Sequence, residues 1–269
     1  MKIALYGFDQ RLVSILRAKG VETVVLDKAT AKPGDIPSDA EMLLTLGGDG
    51  TFLKALSLVR GRRVALAGIN SGRLGFLTTA KLDENPEGWI GDIIEGRYEV
   101  EDRDLIKIQS DALPADFYPF AGNEFTIQRR GASMLAIDVK LDGRALPTYW
   151  SDGIVVATPT GSTAYSLSVG GPIVDPRSKV FVLAPIAPHN LNMRPLIIPA
   201  GSALDVEVAS RDGEAVLTLD NRSIVIPSGT KISVRKGEYG FKYVSFSDNN
   251  FLKALETKLL WGQDKRNSQ

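Results

Sequence analysis

The feature that most constrains this chain is a glycine loop that joins an apolar segment to an amphipathic one. Residues 42–46 have the composition of a buried strand, and apolar residues recur at helical spacing over 51–59. The loop between them consists of Gly47, Gly48, Asp49 and Gly50, followed by Thr51. Glycines adopt backbone angles closed to other residues and leave N–H groups bare at a helix N-terminus, where anionic oxygens are favoured. The segment therefore predicts a phosphate-binding loop.

Asp49 sets this loop apart from the common phosphate loops. The loop has neither the Lys-Ser or Lys-Thr pair that closes a Walker A sequence nor the glycine spacing of a dinucleotide fingerprint. A carboxylate beside phosphates is electrostatically unfavourable unless it binds magnesium or accepts a proton from an attacking hydroxyl. We interpret Asp49 as a general base, while a simple helix cap explains the isolated loop equally well.

The composition limits the classes of function that the chain can have. Its 269 residues, 43% of them hydrophobic, suffice for a substantial core and about two domains. Lys plus Arg and Asp plus Glu both number 32, so no overall field attracts nucleic acid or an anionic membrane. Zero cysteines exclude disulfides and thiolate metal sites. Without a signal peptide or an apolar run of about 20 residues, we expect a cytoplasmic protein with no membrane span.

Two periodicities divide the chain. Up to about residue 96, strands and helices alternate, which predicts an α/β domain at residues 1–97 with a parallel Rossmann-like sheet. The expected strands are 2–6, 22–26, 42–46 and 64–69, and the expected helices are 9–18, 51–59 and 84–95. Because ligands bind beyond the carboxyl ends of such strands, the loop at 70–76 should lie beside Asp49.

The remainder predicts a mainly β domain at residues 98–249. Its expected strands are 105–109, 124–128, 136–141, 153–157, 205–209 and 215–219. The pair Asp142-Gly143 is a strong hairpin signal. A last helix at 251–261 has an apolar face, and we expect this helix, within residues 250–269, to return to the first domain.

A second polar segment, residues 151–168, carries too many hydroxyl groups for plain core. The hydroxyl residues near its short helix are Thr158, Thr160, Ser162 and Thr163. Tyr165 offers a ring for stacking, and Asp152 offers a hydrogen-bond acceptor. The pattern predicts a nucleoside-binding wall, and a capped short helix with Tyr165 in the core explains it as well.

Three motifs taken together resemble those of the NAD kinase family. They are Gly-Gly-Asp-Gly-Thr at 47–51, Asn123-Glu124, and Thr-Pro-Thr-Gly-Ser-Thr-Ala-Tyr-Ser-Leu-Ser at 158–168. The loop at 70–76 also looks like the family's loop after the fourth strand, and the match in order and spacing spans most of the chain. The resemblance implies a kinase that transfers the ATP γ-phosphoryl to the adenosine-ribose 2'-hydroxyl of NAD, forming NADP.

The resemblance also implies roles for single residues. Asp49 accepts the proton of the hydroxyl, Gly50 approaches the substrate with its backbone, and Asp152 accepts a hydrogen bond from the carboxamide or adenine. The adenosine portion is held by Asn123 and Glu124 and by the segment Thr163, Ala164, Tyr165, Ser166, Leu167 and Ser168. Further binding positions are Phe76, Ala187, Asn221 and Lys54, of which Lys54 is also explained as a solvated lysine.

The implied ligands are NAD and ATP, and we expect Mg²⁺ or another divalent cation to arrive with the ATP. The resemblance further implies a homodimer or homotetramer. We expect Asp49 and the Tyr165 ring to face the same bound dinucleotide. Trp150 departs from the family, many members of which carry a basic residue two positions before the aspartate that matches Asp152. This departure puts one phosphate contact in doubt.

Two other functions fit part of the pattern. Lipid kinases of the diacylglycerol and sphingosine type share the Gly-Gly-Asp-Gly-Thr loop, although a lipid substrate favours an apolar tunnel. A dinucleotide sensor without turnover would use the same positions, but the presence of Asp49 argues against it. The single histidine, His189, lies in a loop-like stretch, where we expect a structural hydrogen bond.

Overall fold

Two separate stretches of the chain build an α/β unit around one sheet. The computed structural model describes residues 1–70, 72, 75–246 and 251–260. The described residues of 1–102 and 241–269 belong to the α/β unit, and residues 103–240 form a second unit made of β-sheets.

The N-terminal stretch alternates strands and helices, as the sequence predicts. Its elements are β1 (Lys2–Tyr6), α1 (Gln10–Ala18), β2 (Glu22–Leu26), β3 (Met42–Leu46), α2 (Asp49–Val59), β4 (Ala65–Asn70), β5 (Ala80–Lys81), α3 (Pro86–Ile94) and β6 (Glu99–Arg103). β1 pairs in parallel with β2 and β3, and β3 pairs in parallel with β4. Every residue of β3 is buried, which is typical of a parallel strand covered on both faces.

The β unit consists of two antiparallel sheets. Its elements are β7 (Ile106–Gln109), β8 (Phe120–Ala121), β9 (Glu124–Arg129), β10 (Leu135–Leu141), β11 (Arg144–Ala145), β12 (Tyr149–Ser151), β13 (Gly153–Ala157), α4 (Tyr165–Ser168), β14 (Val180–Ile186), β15 (Leu196–Pro199), β16 (Leu204–Ser210), β17 (Glu214–Leu219), β18 (Arg222–Pro227) and β19 (Lys231–Lys236). One sheet has the order β11-β10-β16-β19-β7-β8, with β12 beside β10, and the other has the order β15-β14-β13-β9-β17-β18.

The core of the β unit follows from the alternation of its strands. In β10, Leu135, Ile137 and Val139 are buried while the residues between them are more exposed. They share one apolar cluster with residues of the other sheet, including Ile127 of β9. The hairpin predicted at Asp142-Gly143 is confirmed, because Leu141 pairs with Arg144 and both turn residues have positive φ, 49° and 79°.

The chain returns to the α/β unit for its last strand and helix. β20 (Phe241–Ser245) pairs in parallel with β4, and the sheet has the order β2-β1-β3-β4-β20-β6, with β5 beside β4. α5 (Phe251–Leu259) follows and buries Leu255. The predicted return of the terminal helix is confirmed.

The domain limits differ from the predicted ones at two places. Residues 98–102 and β20, which the sequence analysis assigned to the β domain, lie in the α/β unit. β20 is one more short apolar segment after many β segments, so its composition does not reveal its sheet. Trp261 and the rest of the tail to Gln269 lie outside the described residues. In the part of the chain that is described, no helix is long and apolar enough to cross a membrane.

Candidate active site

The glycine loop connects the buried strand β3 to the first turn of α2. Gly47 has a φ of +149°, and a Cβ there would collide with the side chain of Thr51. Gly48 is the N-cap of α2 with an ordinary φ of −82°, and Gly50 lies within the helix. Of the three glycines, Gly47 uses the conformational freedom that a missing side chain allows, whereas Gly48 and Gly50 have ordinary backbone angles. Both are exposed, and a Cβ on either would meet open space.

The carboxylate of Asp49 bridges the two loops at this edge of the sheet. One oxygen accepts the backbone N–H of Phe76 at 2.8 Å, and the other accepts that of Leu77 at 3.0 Å. α2 has no side-chain hydrogen bond at its N-cap, so Asp49 does not act as a simple cap of its own helix. A Cβ on Gly75 would collide with this carboxylate, which explains the glycine there. Asp49 is thus held in one place by the neighbouring loop.

The loop after β4 is fixed by its own polar side chains. Asn70 accepts the N–H of Gly72 at 2.6 Å, and the Thr78 hydroxyl accepts that of Gly75 at 2.6 Å. Its predicted position beside Asp49 is observed for Gly75 and Phe76. The other members of the predicted 70–76 loop, Ser71, Arg73 and Leu74, lie outside the described residues.

Phe76 links three elements of the α/β unit. Its N–H donates to Asp49 of α2, and its carbonyl accepts the hydroxyl of Tyr243 in β20 at 3.4 Å. The ammonium of Lys258, from α5, lies 4.8 Å from the centre of its ring. Burial lowers the pKa of Lys258 from 10.5 to about 8, against the opposing effect of the Asp49 charge. The sequence analysis did not include Lys258 among the site residues, because a lysine on an amphipathic helix is usually a solvated surface residue. Lys54, the lysine that it named, is exposed on α2.

In the β unit, a buried aspartate shapes the start of β9. The carboxylate of Asp220 accepts backbone N–H groups of Gly122, Asn123 and Glu124 at 2.9, 2.7 and 3.3 Å. Burial raises the pKa of Asp220, while these N–H groups and the charge of Arg222 oppose the rise. Asp220 thereby fixes the backbone of the Asn-Glu pair. Nothing in the sequence marks Asp220 beyond its place in a tight turn.

Glu124 is a second buried acid of the β unit with a raised pKa. Burial, and secondarily the charge of Asp220, raises its pKa from 4.5 to about 8, although the backbone N–H of Tyr165 donates to its carboxylate. Among the described residues, Glu124 Oε2, Asn123 Oδ1 and Ser166 Oγ are buried without a hydrogen-bond partner. Buried polar atoms of this kind are uncommon and call for a ligand or water to satisfy them. The contact between Glu124 and Tyr165 joins two of the predicted motifs.

The hydroxyls of the 158–168 segment mainly hold the segment itself. The Thr158 hydroxyl donates to the carbonyl of Gly122 at 2.6 Å and accepts the N–H of Gly161 at 3.1 Å. The Ser162 hydroxyl bonds both the N–H and the carbonyl of Val174. Both hydroxyls are thus engaged within the fold, and that they also contact a ligand stays a prediction.

The six predicted positions after Ser162 differ in exposure. Thr163, Ala164, Tyr165 and Leu167 are half-buried, Ser166 is buried, and Ser168 is exposed. Tyr165 packs partly against the apolar cluster of Val155, Ala157 and Val174. The ring therefore combines features of both interpretations, a core contact and a partly open face.

The remaining predicted positions lie around β12, β14 and the β17–β18 turn. Asp152 pairs with Arg129 at 2.8 Å, and its N–H donates to Ile186, which directly precedes Ala187. Ala187 is exposed with a φ of 44°. Asn221 is exposed in the turn beside Asp220. Trp150 is 47% exposed, and its carbonyl accepts the backbone N–H of His189. A structural hydrogen bond of the His189 side chain stays a prediction.

The predicted positions therefore fall into one group in each unit. Residues 47–54 and Phe76 belong to the α/β unit, and the positions from Asn123 to Asn221 belong to the β unit. That Asp49 and Tyr165 face one dinucleotide stays a prediction. In the described ranges, no three His, Cys, Asp or Glu side chains are grouped as a metal site.

Comparison with protein families decides the relationship. The model of the ATP-NAD kinase N-terminal domain matches residues 6–98, and that of the ATP-NAD kinase C-terminal domain matches residues 122–246. The chain belongs to the ATP-NAD kinase family. The family predicted from the three motifs is confirmed.

Curated members of the ATP-NAD kinase family match most of the chain. An NAD kinase of Cytophaga hutchinsonii is 41% identical over 84% of this chain and 78% of its own length. NAD kinases of Flavobacterium johnsoniae and Flavobacterium psychrophilum, 41% and 37% identical, match 99% of the chain and 100% of their own lengths.

Solved structures of the ATP-NAD kinase family share the fold. Yeast NADH kinase complexed with NADH aligns with a TM-score of 0.87 at 23% identity, covering 100% of this chain and 90% of its own. An NAD kinase from Archaeoglobus fulgidus in complex with ATP aligns with a TM-score of 0.78 at 26% identity, covering 92% and 95%. An α/β domain with a mostly parallel sheet and a β domain, as predicted, are confirmed.

Proposed function

We propose that this protein transfers the γ-phosphoryl of ATP to the 2'-hydroxyl of the adenosine ribose of NAD, producing NADP and ADP. Family membership supports the reaction, since the curated relatives are named NAD kinases. The structural observation that carries the proposal is the Asp49 carboxylate, fixed at the head of α2 in a glycine loop.

Asp49 has the geometry of a general base. Each of its oxygens accepts one backbone N–H, which fixes the carboxylate and leaves further lone pairs for a substrate hydroxyl. The 2'-oxygen attacks the γ-phosphorus and passes its proton to Asp49. The bond between the γ-phosphorus and its bridging oxygen breaks, and ADP leaves with that oxygen. Such a transfer depends mainly on positioning and on neutralising charge.

Phosphate binding is assigned to the start of α2. The exposed glycines Gly48 and Gly50 let phosphate oxygens approach the N-terminal backbone of the helix, where its dipole favours anions. Thr51, half-buried beside Gly47, stiffens the turn. Magnesium enters as part of the ATP substrate, since no three His, Cys, Asp or Glu side chains of the described residues are grouped as a metal site of the protein itself.

Recognition of the adenosine portion is assigned to the β unit. Asn123, Glu124 and Ser166 each have a buried side-chain oxygen without a hydrogen-bond partner among the described residues, and hydroxyl and amino groups of a nucleoside would satisfy these oxygens. With its pKa near 8, Glu124 is mostly protonated at neutral pH and can both donate and accept. The backbone N–H of Tyr165 interacts with the Glu124 carboxylate, and the half-buried Tyr165 is proposed to stack on the adenine.

One assay tests the proposal. The purified protein is incubated with NAD, ATP and magnesium, and NADP is detected with an NADP-specific dehydrogenase. Parallel reactions replace NAD by a diacylglycerol or a sphingoid base, with labelled ATP to detect a phosphorylated lipid. We expect NADP only. NADP at background level would refute the proposal, and a phosphorylated lipid would establish the lipid-kinase alternative instead.

We further propose a homodimer or homotetramer, which the family resemblance implies. The mass from light scattering on the purified protein tests this point, and a monomer at assay concentration would contradict it.

A further inference from the structure

The α/β unit contains a buried cation that the mechanism above does not use. Lys258 lies one turn after the buried Leu255 in α5, so the two side chains share a face of the helix. Its ammonium lies 4.8 Å from the centre of the Phe76 ring. The N–H of the same Phe76 donates to Asp49, which places the cation next to the proposed base.

The ammonium of Lys258 is desolvated and lacks a ligand. Among the described residues, its Nζ is buried without any hydrogen-bond partner. Burial lowers the pKa of Lys258 to about 8, and the charge of Asp49 opposes the shift. The Phe76 ring contributes only a cation–π contact. A buried charge with three unused donors is unfavourable in the protein alone, and such groups are enriched at functional sites.

Lys258 is not simply the ion-pair partner of Asp49. Within the described ranges, no ion pair of 4.0 Å or less joins them, and the Asp49 oxygens accept Phe76 and Leu77 instead. Lys253, five residues earlier in α5, shows the ordinary arrangement for contrast. It is 55% exposed and pairs with Glu256 at 3.1 Å. The two lysines of one helix therefore differ in what surrounds their charge.

The glycine loop lacks the cation that phosphate sites need. Its sequence has no lysine at the place where Walker A loops carry one, and it places the negative Asp49 where phosphates approach. Lys54 is exposed one turn further along α2. A positive charge near Asp49 is needed to offset repulsion between the carboxylate and a polyphosphate. Lys258 is a cation of the described residues whose ammonium is buried and interacts with the charge of Asp49.

We propose that Lys258 supplies the phosphate-binding cation of the transfer site, donating its ammonium N–H groups to an anionic oxygen of the ATP polyphosphate beside Asp49. This inference deepens the proposed function and depends on it for the identity of the donor nucleotide. The last helix of the chain then completes the site that the first loop begins.

Variants of Lys258 test this role. Lys258→Met keeps the stem and removes the charge, and we expect kcat to fall by about 100-fold, as for one lost transition-state donor. Lys258→Arg keeps the charge and is expected to retain more activity than the Met variant. Lys253→Met, in the same helix, is the matched control and should match the wild type. Thermal unfolding of each variant checks that α5 stays folded.

A binding measurement separates this inference from the proposed reaction. Inorganic tripolyphosphate is titrated calorimetrically into the wild type, Lys258→Met and Lys253→Met. We expect the Met change at 258 to weaken binding by at least about tenfold. If the wild type forms no NADP but Lys258→Met still binds tripolyphosphate more weakly than the wild type does, the proposed reaction is refuted and the anion site is supported.

Wild-type behaviour of Lys258→Met would overturn the inference. Turnover and tripolyphosphate affinity of Lys258→Met equal to those of the wild type would leave the lysine a packing contact for Phe76. If Lys258→Met unfolds, Lys258→Gln replaces it, because glutamine keeps a polar head without the charge. Wild-type turnover in a folded Lys258→Gln protein would equally refute the role.

Discussion

Two acidic side chains, one in each unit, differ in their exposure and in their hydrogen-bond partners. Asp49 is half-exposed, and each of its oxygens accepts a backbone N–H of the neighbouring loop. Glu124 is 9% exposed, and its Oε2 has no partner among the described residues. Hydrogen bonds from the protein fix the carboxylate of Asp49, whereas Glu124 Oε2 needs a hydrogen-bond partner from another molecule. The difference separates a group that performs chemistry from a group that recognises a ligand.

The largest expected effect follows from removing the base of the α/β unit. Asp49→Asn should lower kcat by at least about 100-fold, with the KM for NAD changing little, because proton transfer is lost and binding is kept. Steady-state kinetics with the coupled assay measure this. Asp83→Asn, an exposed acid in the same unit, is the control. Normal turnover of Asp49→Asn would show that Asp49, like Glu124, does not transfer the proton.

A smaller loss is expected when the base is kept but displaced. In Gly75→Ala the new Cβ occupies the place of the Asp49 carboxylate, which must move. Misplacement of about 1 Å lowers rates by up to about 100-fold, and we expect about tenfold here in kcat. In Gly72→Ala the new Cβ makes only ordinary contact, so this variant should behave as the wild type. Equal kinetics of the two variants would contradict a fixed carboxylate.

The state of Glu124 predicts how stability depends on pH. Its pKa is raised from 4.5 to about 8, so between these values the folded protein holds a proton that the unfolded chain releases. Its contribution to stability is therefore complete at low pH and is lost as pH rises through this window, by at most about 1.4 kcal/mol per pH unit. Urea unfolding of the wild type and of Glu124→Gln across the window should show a steeper loss of stability with pH in the wild type. Parallel slopes would mean that Glu124 is not buried as a neutral acid.

The smallest effect is expected at Asp152, the acid of the β unit that is already paired. Its partner Arg129 is 37% exposed, so Arg129→Met should cost less than about 1 kcal/mol of unfolding free energy. Arg130→Met, which removes an exposed pair with Glu214, is the matched control for the same urea measurement. If Arg129→Met lost much more unfolding free energy than Arg130→Met, the ion pair between Arg129 and Asp152 would be important for stability, contrary to this prediction.

The local elements of the fold could be predicted because their signals are local. The strand Met42–Leu46, the helix after the glycine loop and the Asp142-Gly143 hairpin each depend on short-range periodicity or turn chemistry. The place of β20 in the first sheet could not be predicted in the same way. Its neighbour β4 lies about 175 residues earlier in the chain, and no local pattern encodes such a partner.

Some residues of the candidate site could likewise be predicted from the sequence, and others could not. Asp49, Asn123 and Glu124 stand in recognisable motifs, so their positions could be named from the sequence. Lys258 and Asp220 could not, because a lysine on an amphipathic helix and an aspartate in a turn are ordinary until their burial is known. The hydroxyls of Thr158 and Ser162 show the converse, since residue type alone does not reveal that a group is already bonded inside the fold.

The position of β20 between β4 and β6 has a consequence for how the protein is made. A ribosome releases the first six strands of the chain long before the strand that joins two of them. Until the whole β unit has been synthesised, the part of β4 that pairs with β20, at Ala65 and Leu66, therefore has no strand beside it on that edge. A chain that stops at residue 240 would lack an interior strand as well as the helix that carries Lys258, so premature termination should yield a protein that is cleared and not a partly active kinase.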